Sequence, residues 1–163
     1  MEMKVFLGIF FLVYSCYSYP TGAPPEACGT LAPAHPVIVD GVPTSEIHQP
    51  QTGPSPYKLD AIKNSDDSIT LILSGEDFKG FVFRAFDGSG EPINGQFEEK
   101  TGLRTINCDS IKDTVTHVDA NDKSTFEFVW HPPTDATGSV IFKGSVVKNY
   151  STFWLIESEP VNY

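Results

Sequence analysis

Basic residues are scarce in this sequence: 11 Lys and Arg stand against 21 Asp and Glu, a formal net charge of −10. Nucleic-acid binding demands a concentrated basic patch and membrane disruption a cationic face, so neither class fits. The charge favours solubility and weak non-specific adhesion, and it names no partner. Long apolar runs are also missing. Val5–Val13 is an unbroken stretch of nine, whereas a permanent membrane-crossing helix needs about 20 residues. Catalytic signatures are absent too. Gly88-Ser89-Gly90 reads as a short turn, not a nucleophile elbow, and no phosphate-cradling loop appears. Nothing in the sequence pairs two carboxylates for acid–base work. The sequence therefore predicts no enzyme and no cofactor.

What stands at the start changes the reading of the rest. One Lys precedes the Val5–Val13 run, and Cys16-Tyr17-Ser18 puts small residues where a signal peptidase inspects the chain. This is the plan of a secretory signal peptide cleaved after Ser18. The product would be secreted, extracellular and free of a membrane anchor. The 163-residue chain would lose 18 residues and keep 145, enough for one domain with a real core. Glu2 and Lys4 leave together, so the net charge stays at −10. Cys16 leaves as well, and Cys28 and Cys108 remain. In an oxidising compartment a lone pair is most simply a disulfide. Two free thiols or an intermolecular bridge are the alternatives.

Two zones follow. Residues 19–56 form a proline-rich arm. Pro20 to Pro56 holds nine of the thirteen prolines, no Lys or Arg, and no Phe, Trp or Tyr. Proline fixes φ and removes a donor, which excludes a helix or a central strand. An extended arm lying over the domain and fastened by Cys28 is expected, with a free linker as the rival. Residues 57–163 alternate with period two. Ile69, Leu71 and Leu73, then Phe126, Phe128 and Trp130, then Val140, Phe142 and Val146 each share one face of a run. Half-buried antiparallel strands require this pattern. Other candidate strands are Lys58–Ile62, Phe81–Phe86, Gln96–Glu99, Arg104–Asn107, Thr114–His117 and Thr152–Ile156, with turn residues between them. The fold class is all-β, an antiparallel immunoglobulin-like β-sandwich. Leu71, Leu73, Phe126, Phe128, Trp130, Phe142, Val146 and one of Phe153 or Trp154 should fill its core.

Candidate sites are few. His35, His48, His117 and His131 show no ligand spacing, and two cysteines without clustered histidines make no zinc site, so no metal is expected. Asp119 to Ser124 offers closely spaced oxygens, but it lacks the glycine and distal glutamate of a calcium loop and contains Lys123. Trp130 and Trp154 could stack on sugars, with Tyr150, Tyr163 and Phe153 as weaker candidates, but alternation assigns the tryptophans to the core. Asn149-Tyr150-Ser151 is an N-glycosylation sequon, placed between two strands where a turn would expose it.

Several runs together resemble a known module. These are Thr116-His117, Phe126 to Pro133, Gly138 to Phe142, Ser145 to Val147 and Phe153-Trp154. The opening Tyr19 to Pro24, Cys28-Gly29 and His35-Pro36, with Gly80-Phe81 and Ala85 to Asp87, fit the same pattern. The chain resembles a reeler (reelin-type) domain across its mature length. A signal followed by one such domain is similar to the insect defense protein family, whose members are made in response to infection. The resemblance implies an innate-immune, antimicrobial role without catalysis, with microbial surface glycans or lipids and the haemocyte surface as partners, and it matches Cys28 and Cys108 to positions that bridge. A matrix or structural interaction module is the alternative, and a small-ligand or haem-binding carrier the second. The ligand-binding residues are unknown. The polar Asp87–Asn94 and Asp119–Ser124 turns are nominated, because loops at one end of a sandwich are where a recognition surface is built.

Overall fold

The computed structural model describes residues 19–163; cleavage after Ser18 therefore concerns a segment outside the described residues. From Tyr57 onward the alternating runs become strands: β3 (Tyr57–Lys63), β4 (Ile69–Phe78), β5 (Gly80–Phe86), β6 (Gln96–Phe97), β7 (Leu103–Ile106), β8 (Thr114–His117), β9 (Lys123–His131), β10 (Ser139–Asn149) and β11 (Thr152–Glu157). A short β12 (Val161–Asn162) follows and pairs with β10. The strands are antiparallel and form two sheets, β11-β10-β5-β8-β7 and β3-β4-β9-β6.

Period two explains the core. Ile69, Leu71 and Leu73 of β4 face inward and are fully buried, while Thr70, Ile72 and Ser74 between them are half-buried. They meet Phe81, Phe83, Phe142 and Val146 from the opposing sheet in one cluster that also contains Phe128 and Trp130. Rings dominate it. Phe81 stacks on Phe128 at 5.6 Å, and Trp130 meets Phe142 edge-on at 5.4 Å. Gly95 is required by this packing, since a Cβ there would lie 2.2 Å from Trp130 Cζ2.

Two core assignments need correction. Phe126 is only half-buried, resting against Phe81 at 5.3 Å with Lys100 Nζ 5.5 Å above its ring. The reason is β6, which pairs only at Gln96–His131 and Phe97–Trp130 and leaves the Phe126 end of β9 at an uncovered sheet edge. Of the Phe153–Trp154 pair, Phe153 is the buried one, yet it stands outside the main cluster, and half-buried Trp154 packs against that cluster. Trp154 shares a face with inward Val146, so Phe153 points to the opposite side of its sheet.

The proline-rich stretch covers that opposite side, and it is more structured than an extended arm. Pro25–Gly29 makes one 3-10 turn with proline at its first position, where a missing N–H costs nothing. Strands β1 (Pro36–Val39) and β2 (Val42–Ile47) form a separate two-stranded hairpin. Asp40 and Gly41 turn it with φ of 50° and 79°, the left-handed pair that a two-residue hairpin loop demands. Pro36 starts a strand and Pro43 sits on an edge strand, the positions that tolerate proline.

Candidate functional site

The place where arm and sheet meet gathers most of the polar and apolar features left outside the core. Beneath the arm lie Val82 and Arg84 of β5, Thr114 and Thr116 of β8, Ser145 and Val147 of β10 and Phe153 of β11. Six of these seven side chains are buried and Val147 is half-buried. Arm and sheet are joined at four points. Near Tyr19, Ala23 N donates to Thr116 Oγ1 at 2.9 Å, and Arg104 donates to Ala23 O at 2.8 Å. Gly22, at φ +104°, fits there because a Cβ would fall 2.2 Å from the carbonyl oxygen of His117. Next, Cys28 and Cys108 are bridged, with Cα atoms 5.6 Å apart. Farther on, the His35 ring stacks on Tyr150 at 4.6 Å, and its Nδ1–H donates to Tyr150 O at 2.7 Å. The ring of His48 meets Tyr150 edge-on at 5.8 Å, while the Tyr150 hydroxyl donates to Pro36 O at 3.1 Å. Last, Gln51 N donates to Phe153 O at 2.9 Å.

Between these fastenings is a cavity of about 320 Å³, walled mainly by prolines, alanines and valines of the arm, β5 and β10. Glu26, His35, Lys79, His117, Ser145 and Asn149 are among its polar lining residues. Burial pushes the His117 pKa below its ordinary value, although a hydrogen bond to the Phe81 backbone works the other way. Beside the disulfide, Arg84 Nη2 meets the fully buried Asp113 at 2.9 Å. Burial works against the Asp113 charge. The backbone N–H groups of Cys108, Asp109 and Ser110, helped by Arg84, outweigh it and hold the carboxyl below its usual range.

The four histidines are dispersed: His35 and His48 flank Tyr150, His117 sits against Phe81, and His131 bonds Glu98 at 2.6 Å. Among the described residues, no group of three or more His, Cys, Asp or Glu is placed to hold a metal ion. Trp130 and Phe153 are buried, and neither offers a face to a sugar. Trp154 packs edge-on against Tyr57, and Tyr163 against Trp130. Asn149 is exposed at the β10–β11 turn, where its Oδ1 accepts from Ser151 N at 3.1 Å. This turn borders the cavity.

The two nominated loops do not form one surface. The antiparallel register sets Thr116 against Val82 and Thr114 against Arg84. The loop after β8 therefore lies at the Gly80 end of β5, and the Asp87–Asn94 loop lies at the Phe86 end, across the length of the sandwich. Each is also internally bonded. Asp87 Oδ1 accepts from the N–H of Ser89 and of Glu91, and Lys123 Nζ donates to Asp119 Oδ1 and to the carbonyls of Asp119 and Asn121.

Sequence reasoning missed the outward set on β5 and β10. Its signal was present: Gly80–Phe86 hardly alternates, and a strand apolar on both faces is covered on both. No helix of the described residues is long and apolar enough to cross a membrane.

An antiparallel two-sheet β-protein with a disulfide-fastened arm over one outer face defines the structural class. Residues 26–163 match the Reeler domain, and the chain belongs to the Reeler domain family. Among curated relatives, it is 33% identical over 153 residues to Putative defense protein 3 of Antheraea mylitta, covering 88% of this chain and 86% of that one. It is 32% identical over 151 residues to Defense protein l(2)34Fc of Drosophila melanogaster, covering 88% and 87%. The crystal structure of the human F-spondin reeler domain has a TM-score of 0.54 at 20% identity, over 71% of this chain and 92% of that one, a likeness of fold.

Proposed function

We propose that the chain is a secreted, non-catalytic defense protein that recognises microbial surface glycans or lipids, with the haemocyte surface as a second partner. The observation that carries this reading is the similarity, over 88% of the chain, to two proteins named for defense. Secretion follows from the signal pattern of Met1–Ser18, with a mature terminus at Tyr19, and Asn149 carries an N-glycan in this reading. At net −10, general attraction to anionic envelopes contributes nothing: like charges repel at long range, and salt screens them. Recognition then depends on a local surface. The test is retention of the purified protein on intact bacteria and fungi, lipopolysaccharide, lipoteichoic acid and β-glucan across an ionic-strength series. Saturable retention that holds or strengthens with salt is expected. A steep loss with salt would point to a basic patch instead of local recognition. No retention on any surface overturns the reading in favour of a matrix interaction module.

A further inference from the structure

A pocket of about 320 Å³, partly open to solvent, lies between arm and sheet. It is roughly twice the apolar cavity of about 150 Å³ that admits benzene, which gives room for on the order of a dozen heavy atoms. Small-molecule sites begin near this size and share its make-up, apolar walls with few polar groups. Pro24, Ala27, Pro33, Val82 and Val147 supply the walls here.

Among the buried side-chain polar atoms of the cavity's residues, one has no protein partner. Ser145 is one of the residues that line the cavity, it is fully buried, and its Oγ pairs with no protein group. The Nδ1 atoms of the neighbouring rings have other duties, that of His35 on Tyr150 O and that of His117 on Phe81 N. A buried hydroxyl left unpaired is destabilising. An oxygen brought in by a ligand would satisfy it.

We propose that this cavity binds a small, mainly hydrocarbon molecule with one uncharged oxygen, an alcohol, ketone or ester, and that this oxygen pairs with Ser145 Oγ. A carboxylate fits poorly, because a single hydroxyl does not compensate for burying an anion. Charge at the rim agrees. Glu26 lines the cavity, and Lys79, the one lysine or arginine among its described lining residues, is bonded to Asp122 at 2.8 Å.

The test titrates 1-decanol and decanoate into the disulfide-intact protein beginning at Tyr19, with calorimetry for affinity and backbone amide NMR shifts for location. Saturable decanol binding is expected, with shifts at Ser145, Val147 and the 24–35 stretch, and decanoate should bind more weakly. Ser145→Ala should weaken decanol binding about 2- to 10-fold, the value of one hydrogen bond, without lowering the melting temperature. Val147→Phe should abolish binding by occupying the space, with the thermal transition as its check on folding. Absence of saturable binding, shifts confined to another surface, or retained binding in a folded Val147→Phe would each overturn the cavity assignment. Decanoate binding above decanol, or an unchanged affinity in Ser145→Ala, would overturn the assignment of the oxygen. Binding to decanol-doped vesicles but never to monomeric decanol would show a membrane surface as the ligand and overturn the proposal.

Discussion

The arm and the sandwich are stabilised by opposite means. The sandwich buries rings against rings across two sheets, and its strands hold one another through long antiparallel ladders. The arm between Pro20 and Pro56 has no Phe, Trp or Tyr, and its only strand pairing is internal to the β1–β2 hairpin. It stays in place through isolated fastenings: a disulfide, two bonds near Ala23, the His35–Tyr150 stack and the Gln51 bond. Stability in the first region is cooperative, and in the second it is a sum of separate attachments. Regions of the second kind open locally before the whole molecule unfolds.

The largest effect should come from the cooperative side. Phe128→Ala removes a fully buried ring that contacts Phe81, Phe83 and Phe97. It should cost about 3–5 kcal/mol, read as a lower denaturant midpoint for both regions together. Loss of arm protection alone would break the comparison. Removing the covalent fastening comes next. Cys28→Ser should cost on the order of 2–5 kcal/mol, and limited proteolysis should cut the 19–56 segment first while the sandwich fragment survives. Simultaneous loss of both regions would show that the arm belongs to the cooperative unit.

The smallest effect is a matter of pH. Burial lowers the folded-state pKa of His117, so between its ordinary value of about 6.5 and the folded value the unfolded state binds the extra proton. The stability held in the neutral ring is therefore fully present above about pH 6.5 and is lost as pH falls toward the folded value. Because His117 lines the arm cavity, amide protection factors in the 19–35 stretch should fall on acidification from neutral pH to about pH 5 more than those in β4. His117→Gln should remove that difference.

Much of the sandwich was legible from its alternation. Thr114–His117 was placed to the residue, and the nine candidate strands beyond Tyr57 all exist, because facing hydrophobic sheets select a strict period. The disulfide was readable from cysteine number once Cys16 was assigned to the signal-like segment, which leaves Cys28 and Cys108 as a pair. The β1–β2 hairpin was missed, although Val-Ile-Val-Asp-Gly-Val is a strong short-range hairpin signal; counting prolines outweighed the Asp-Gly pair. The cavity was not legible, because Ser145 falls on the face of β10 opposite Phe142 and Val146, and alternation alone does not show that this face is covered. Only the docked arm turns that outer face into an interior. The separation of the Asp87 and Asp119 loops was hidden too, since it depends on which strand β8 pairs with.

The Cys28–Cys108 bond also sets an order of events during synthesis. Cys108 emerges from the ribosome before β8, β9 and β10 have been made, yet β9 and β10 occupy interior positions in their respective sheets. A bridge formed at first opportunity would therefore close a ring of about 80 residues around β1 to β7 while β4 and β5 still lack those partners. The strands that complete both sheets would then have to join a chain already tied shut. The bond closes off a beginning to which the later half of the chain must fit itself.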